Sequence, residues 1–543
     1  MPALSGTVAE SFAATAARAP GHDFLCLLPE TARRYDLEPG TWSYAAAAGE
    51  IARLERAYRA AGYGHGHRAG LLLENRPAFF FHWLALNRLG VSIVPLSPEW
   101  RSAELEYLID NSEICLAVAP RERHDGLARA AAHARRALAL SAPDLDPLAP
   151  APGDAPRGSQ VPGIDSECAL LYTSGTTGKP KGCVLPNEYF LWAGTWYAGL
   201  DGLCRLQSGT ERLITPLPLN HMNALACSSM AMVLTGGCII QLDRFHPGSW
   251  WDDVRNSRAT IVHYLGVMPS MLLTAPPGPG DREHCVRFGF GAGVSPRLHA
   301  PFEARFGFPL IEAWAMTETG TGAVIIANRE PRKVGSACFG RPEAWIDYRI
   351  VDEAQREVPA GQPGELLVRH HGAAPAFGFF RGYLKDPEAT AAAWAGGYFH
   401  TGDLVRADAD GALHFVDRKK NVIRRSGENI SAVEVEGVLL QHPGVQAVGV
   451  AAVPDEVRGD EVFACVVLRA GAPGGADLAR ELQAFALGRL AYYKAPGYVA
   501  FCGELPLTPT AKIQRARLKQ LARELLDGTG RTDLREMKKR SPP

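Results

Sequence analysis

The run Tyr172-Thr-Ser-Gly-Thr-Thr-Gly-Lys-Pro-Lys-Gly182 has the make-up of a loop that holds a polyphosphate. Gly175 and Gly178 let backbone N–H groups converge on an anion. Thr173, Ser174, Thr176 and Thr177 add hydroxyl donors, and Lys179 and Lys181 add positive charge. The spacing is not that of a P-loop: the two glycines are too close together, and Pro180 stands where Ser or Thr is required. A flexible Gly/Ser/Thr loop is the plain alternative, but entry from the apolar run Ala169–Tyr172 favours an anion cradle at the end of a buried strand.

Other segments are weaker taken singly. Leu217–Asn223 carries His221, and a lone histidine is more often structural than functional. Gly289–Gly293 is built of small residues that permit close approach of a flat base, but it is not G-x-G-x-x-G. Glu318 offers a hard carboxylate oxygen of the kind Mg²⁺ prefers. Gly402-Asp403 alone reads as a turn, and Lys512 alone as a solvated surface group.

Short apolar runs alternating with amphipathic stretches must position these residues. Strands are expected at 71–73, 91–95, 238–242, 260–265 and 309–314, and a helix at 77–89. This is α/β patterning with largely buried sheets. The stretch 138–163, with six prolines among Ala, Asp and Gly, is expected to be a surface loop. After Asp417 the basic run Arg418-Lys419-Lys420 precedes a new pattern: helix 431–440, strands 445–453 and 461–468, helix 477–490. A boundary there gives an N-terminal domain of residues 1–417, made of layered α/β subdomains, and a small mobile α+β domain of residues 418–543.

With 543 residues, 46% hydrophobic and 21% charged, the chain has the composition of a globular protein of several domains. A net charge of -1 gives no sign of nucleic acid or an anionic membrane as the main partner, and no nucleic-acid partner is expected. Eleven scattered cysteines, without C-x-x-C or zinc spacing, are expected to be reduced thiols in the cytoplasm. The N-terminus lacks a basic start followed by an apolar core, so no leader is expected. The uncharged stretch between Arg212 and Asp243 is broken by Pro216, Pro218 and Gly236-Gly237, and reads as strand, loop, buried helix and strand, with no integral membrane association.

Taken in order, these motifs resemble the adenylate-forming superfamily: acyl- and aryl-CoA synthetases, peptide-synthetase adenylation domains and beetle luciferases. Tyr172–Gly182 matches its signature without a break, and the motifs span roughly residues 40 to 520. The resemblance implies an AMP-forming acid–thiol ligase with ATP, Mg²⁺ and coenzyme A. It places His221 beside the acyl pocket, and Gly291, Ala292, Ala313 and Trp314 along the adenine. Thr317 would bond the α-phosphate, with Glu318 and Thr173 at the metal. Asp403 would bind the ribose hydroxyls, Arg418 ribose or phosphate, and Gly427 the pantetheine of CoA. Lys420 would be the hinge and Lys512 the adenylation lysine. Trp314 and Ala315 stand where the family has Tyr and Gly, and Ala511 where it has Gly.

The stretch 417–431 most resembles the carnitine/crotonobetaine-CoA ligase branch, and a pocket drawn from Asn223, Tyr264–Met268, Phe290 and Thr319–Ala323 would be part polar. The expected partners are a small carboxylic acid, ATP and CoA. Two alternatives stay open: a free-standing adenylation enzyme that loads a carrier protein in trans, and a luciferase-like oxygenase. A non-catalytic nucleotide binder would have lost Lys512 or Glu318, and both are present.

Overall fold

The computed structural model describes residues 4–100, 102–173, 180–425, 428–455, 458–508 and 512–538. The chain forms two compact units, one of Met1–Tyr348 with Leu367–His400, the other of Arg349–Leu366 with Thr401–Pro543.

The larger unit is built on two mainly parallel sheets. One has the strand order Ala139–Ser141, Leu116–Val118, Arg68–Leu71, Ser92–Pro95, Glu167–Thr173, Lys181–Pro186. Its last pair is antiparallel, with Thr173 opposite Lys181. The other runs Ile325–Ile326, Leu310–Trp314, Phe288–Ala292, Ile261–Leu265, Arg212–Thr215, Cys238–Gln241, Asp23–Leu27, Gly40–Ser43. Its middle strands are parallel, and an antiparallel strand closes each end. Strands buried on both faces read as short continuous apolar runs, which is why the sequence marks them. The helices Pro77–Arg88 and Asn187–Ala198 are buried almost all round, as elements packed on several sides must be.

The proline-rich stretch is not wholly a loop. It begins as the edge strand Ala139–Ser141, and its Pro143 carbonyl accepts from buried His82 Nε2 at 2.9 Å. The uncharged stretch forms the strand Arg212–Thr215, a π-helical turn Asn223–Ser228, the helix Ser229–Thr235 and the strand Cys238–Gln241. No helix among the described residues is long and apolar enough to cross a membrane. All eleven cysteines are free thiols.

In the smaller unit, Val445–Asp455 pairs antiparallel with Gly459–Leu468, which pairs parallel with Tyr498–Phe501. Alternate residues serve opposite faces. Val462, Ala464 and Val466 pack with the helices Ala432–Leu439 and Ala476–Leu487, while Phe463 and Cys465 pack with Arg515–Asp527.

The basic run before this sheet is only in part a solvated face. Lys419 Nζ lies 2.7 Å from a carboxylate oxygen of buried Glu365. Arg425, 1% exposed, donates from Nε to Glu461 Oε2 at 2.8 Å, and Lys538 Nζ reaches Glu461 Oε1 at 2.6 Å. Burial pushes the Lys538 ammonium down to about 8, against the pull of Glu461. One buried carboxylate thus serves two buried cations. Glu461→Gln is expected to destabilise the smaller unit by about 3–5 kcal/mol, the cost of leaving buried charge unpaired. Denaturant unfolding of the full chain measures this, and a loss under about 0.5 kcal/mol, typical of a surface change, would contradict the pairing.

Candidate active site

The strand Glu167–Thr173 delivers Thr173 to the mouth of the glycine-rich loop, and the returning strand begins at Lys181. Ser174, Gly175, Thr176, Thr177 and Gly178 lie outside the described residues, as does Gly427. Thr173 Oγ1 lies 3.5 Å from Glu318 Oε1, and the Tyr383 hydroxyl donates to the same oxygen at 3.0 Å. Burial, then the Glu318 carboxylate, push the Tyr383 phenol up, so its proton stays available for donation. Lys181 Nζ sits 4.8 Å from the Tyr383 ring centroid and 3.7 Å from Asp386 Oδ2. Tyr383 itself is held by a bridge to Cys183 and by Leu384 N donating to Gly182 O at 2.8 Å.

Glu318 is 7% exposed and sits on a loop fixed at its backbone. Phe380 N donates to Glu318 O at 2.9 Å, Tyr189 Oη to Thr317 O at 2.9 Å, and Trp192 Nε1 to Thr321 O at 3.0 Å. Gly320 has φ +50°, and a Cβ there would lie 2.3 Å from the Tyr189 ring. Glu318 Oε2 has no partner among the described residues.

The Gly289–Gly293 segment ends in a turn held by Glu312. Its carboxylate accepts from Gly293 N at 2.9 Å, Val294 N at 3.2 Å and the Tyr264 hydroxyl at 2.8 Å. Burial raises the Glu312 carboxyl above its usual range, opposed by these donors. Gly291 must be small because a Cβ would meet Tyr264 O at 2.3 Å, whereas Ala292 and Gly293 are exposed. Ala313 is half-buried; the Trp314 ring is 6% exposed and lies 6.2 Å from that of Phe339.

Exposed or half-buried residues at the carboxyl ends of the strands of the eight-stranded sheet include 265–267, 292–293 and 315–317. Tyr264, Phe290 and Thr319–Ala323, expected to line a pocket, are buried. They belong to strand bodies and a clamped loop, where packing takes up the side chain.

His221 is exposed, and Asn223 beside it is half-buried. Fully buried His263 lies below Asn223. Its Nδ1 is 2.9 Å from Asn223 Oδ1 and 2.8 Å from Ser228 Oγ, and its Nε2 is 2.9 Å from the Tyr197 hydroxyl. Burial lowers the His263 pKa to about 3.

In the smaller unit, Asp403 is 1% exposed and stands opposite Arg418 on the neighbouring strand, with Arg418 Nε 2.6 Å from Asp403 Oδ1. Lys420 lies in the turn Lys419–Asn421. Lys512 is exposed, its backbone N donating to Thr508 Oγ1 at 3.1 Å.

The larger unit therefore brings Thr173, Lys181, Thr317 and Glu318 to one place, and the smaller one pairs Asp403 with Arg418. Tyr383, Glu312 and His263 were not singled out by sequence. The only signal for Tyr383 is an aromatic in a Gly-Tyr pair following Phe379-Phe380-Arg381, and it points to no particular partner.

A nucleotide-handling α/β enzyme of two units fits this arrangement. The AMP-binding enzyme family model matches residues 12–384, and the AMP-binding enzyme C-terminal domain model matches residues 434–512, so the chain belongs to the AMP-binding enzyme family. It is similar to the crotonobetaine/carnitine–CoA ligase of Citrobacter koseri, 31% identical over 88% of this chain and 93% of that protein. Among solved structures it is similar to ATP-bound MatB from Rhodopseudomonas palustris, with TM-score 0.79, 25% identity, and coverage of 95% of this chain and 99% of that one. Its fold also matches o-succinylbenzoate CoA synthetase (MenE) from Bacillus subtilis in complex with an acyl-adenylate, with TM-score 0.79, 23% identity, and coverage of 95% and 99%.

His263 gives the site a pH signature. The unfolded chain takes up a proton near pH 6.5, but folded His263 resists it down to about pH 3. More protons are then bound in the unfolded state, so stability rises with pH across this window and is lost as pH falls through it. His82, lowered by burial to about 4, adds to the same slope. His263→Gln should remove roughly 1 kcal/mol per pH unit from the slope between pH 6 and 5. Unfolding free energies at both pH values test this, and an unchanged slope would contradict a neutral, buried His263.

Proposed function

We propose that this chain is an ATP-dependent carboxylic acid–CoA ligase, forming acyl-AMP and pyrophosphate and then acyl-CoA and AMP. The observation that carries the reading is the Glu318 carboxylate, held by Tyr383 and Thr173 at the mouth of the glycine-rich loop. A carboxylate is a poor electrophile because its oxide is a poor leaving group. Attack of a carboxylate oxygen on the α-phosphorus of ATP breaks the bond to pyrophosphate and converts that oxide into AMP. The CoA sulfur then attacks the acyl carbon, AMP leaves and the thiol proton is released.

Two anions must approach in line, so charge neutralisation is the main demand. We assign it to Lys512, Lys181, Thr317 and the donors Thr173, Ser174, Gly175, Thr176, Thr177 and Gly178. Glu318 and Thr173 would hold Mg²⁺; a half-free buried carboxylate with a neighbouring hydroxyl fits a metal that takes one or two carboxylates plus phosphate oxygens. Bound there, the ion supplies further positive charge to the phosphates. Gly291, Ala292, Ala313 and Trp314 are assigned to the adenine, Asp403 to the ribose hydroxyls, and Arg418 to ribose or phosphate. His221 is assigned to the acyl group and Gly427 to pantetheine. The second half-reaction is assigned to a turn of residues 418–543 about Lys420.

The relatives named as CoA ligases support CoA, rather than a carrier protein, as the thiol. Eleven free thiols support a reducing compartment, which we take to be the cytoplasm.

Lys512→Ala should slow acyl-AMP formation at least about 100-fold, the scale of losing one transition-state charge partner. Conversion of pre-made acyl-AMP to thioester should survive. Rapid quench with separate detection of acyl-AMP and acyl-CoA distinguishes the two, and equal loss of both would remove Lys512 from this role.

A further inference from the structure

The segment that carries His221 continues into the π-helical turn Asn223–Ser228. The wider turn places Ser228 five residues beyond Asn223, and Ser228 Oγ donates to Asn223 O at 3.1 Å. The proton of Ser228 is therefore spent on the backbone, and its lone pairs face His263 Nδ1 at 2.8 Å. On the other side, Tyr197 is fully buried, and His263 Nε2 is the only partner of its hydroxyl among the described residues. A buried phenol must donate its proton, so Nε2 is the acceptor and Nδ1 carries the hydrogen. The imidazole also packs against the rings of Tyr197, 5.7 Å away and nearly parallel, and Phe290, 5.1 Å away.

This tautomer decides which way the Asn223 amide points. Nδ1–H is shared between Ser228 Oγ and the Asn223 amide, and of the two ends of that amide only the oxygen can face a donor, as Asn223 Oδ1 does at 2.9 Å. The amide nitrogen is then turned the other way, and no described residue accepts from it. Asn223 is half-buried, two residues from exposed His221. His263 pairs in register with Phe290, so the next residues of the two strands lead to the exposed or half-buried residues 265–267 and 292–293. Ligands of open parallel sheets sit in the crevice at such carboxyl ends.

Resting on the ligase reading above, we infer that the Asn223 amide N–H group, aimed by His263, selects carboxylic acids that carry an uncharged oxygen acceptor on the acyl chain, such as a hydroxyl, ether or ketone. Every group in the cluster is neutral: an amide, a serine hydroxyl, a phenol and an unprotonated imidazole. The cluster thus gives no ionic reward to a charged head group, whereas an oxygen acceptor answers the amide N–H. A plain hydrocarbon chain would bury that donor unanswered, which is the costly case.

The test compares kcat/KM for pyrophosphate release with matched acids: butanoate against 3-hydroxybutanoate, and pentanoate against 4-oxopentanoate. The parent should prefer at least one oxygenated acid over its match by about tenfold. Asn223→Leu and Asn223→Ala should each bring that ratio to about unity or reverse it. Because the ratio is taken within one variant, a general loss of folded enzyme cancels. No preference in the parent, or a preference that survives in either variant, would overturn the inference while leaving the ligase reading intact. Pyrophosphate release with none of the four acids, nor with a wider panel, would overturn the ligase reading and this inference with it.

Discussion

The Glu318 carboxylate is held by three segments far apart in sequence: its own clamped loop, the strand end at Thr173, and Tyr383 on the stretch that follows Phe380. A carboxylate buried this deeply needs donors, and both donors found address one oxygen. The other oxygen keeps its capacity for a cation. The geometry of the larger unit around the site follows from satisfying this one group. Tyr383 must keep its phenol proton, Gly320 must carry no side chain against Tyr189, and Thr173 must end its strand at the mouth of the glycine-rich loop.

A second buried carboxylate plays a related part without facing a substrate. Glu312 gathers two backbone N–H groups and the Tyr264 hydroxyl, so the turn after Phe288–Ala292 is fixed by the neighbouring strand. That turn is therefore set by the sheet rather than left as a free loop. His263 works in the same manner toward Asn223. In all three places the partners of a buried polar group fix its orientation in the folded chain, which is preorganisation in the physical sense.

Much of this was legible in the sequence. The parallel strands Ser92–Pro95, Cys238–Gln241, Ile261–Leu265 and Leu310–Trp314 were marked by short apolar runs, whereas the run 71–73 only overlaps the end of its strand, Arg68–Leu71; the glycine-rich loop was marked by its composition and its entry from Ala169–Tyr172. The family model over residues 12–384 bears out the family resemblance that the motifs carried. Other features were not legible because they depend on partners distant in sequence. Tyr383 acquires a role only from Glu318, sixty-five residues away. His263 is one apolar-strand histidine until Tyr197 and Ser228 fix its tautomer. Arg425 reads as surface charge because the sequence does not announce that Glu461 will be buried beside it. Tyr264 and Phe290, expected to line a pocket, lie buried in strand bodies, where what a side chain faces is decided by neighbouring strands rather than by its own segment.

The central claim is that a carboxylate oxygen attacks the α-phosphorus of ATP. Labelling both oxygens of the acid with ¹⁸O tests it most directly. After complete turnover with ATP, Mg²⁺ and CoA, one labelled oxygen should be found in the phosphate of AMP, one should remain in the thioester, and none should be found in pyrophosphate. Label in pyrophosphate or in inorganic phosphate, or AMP free of label while thioester forms, would contradict the account.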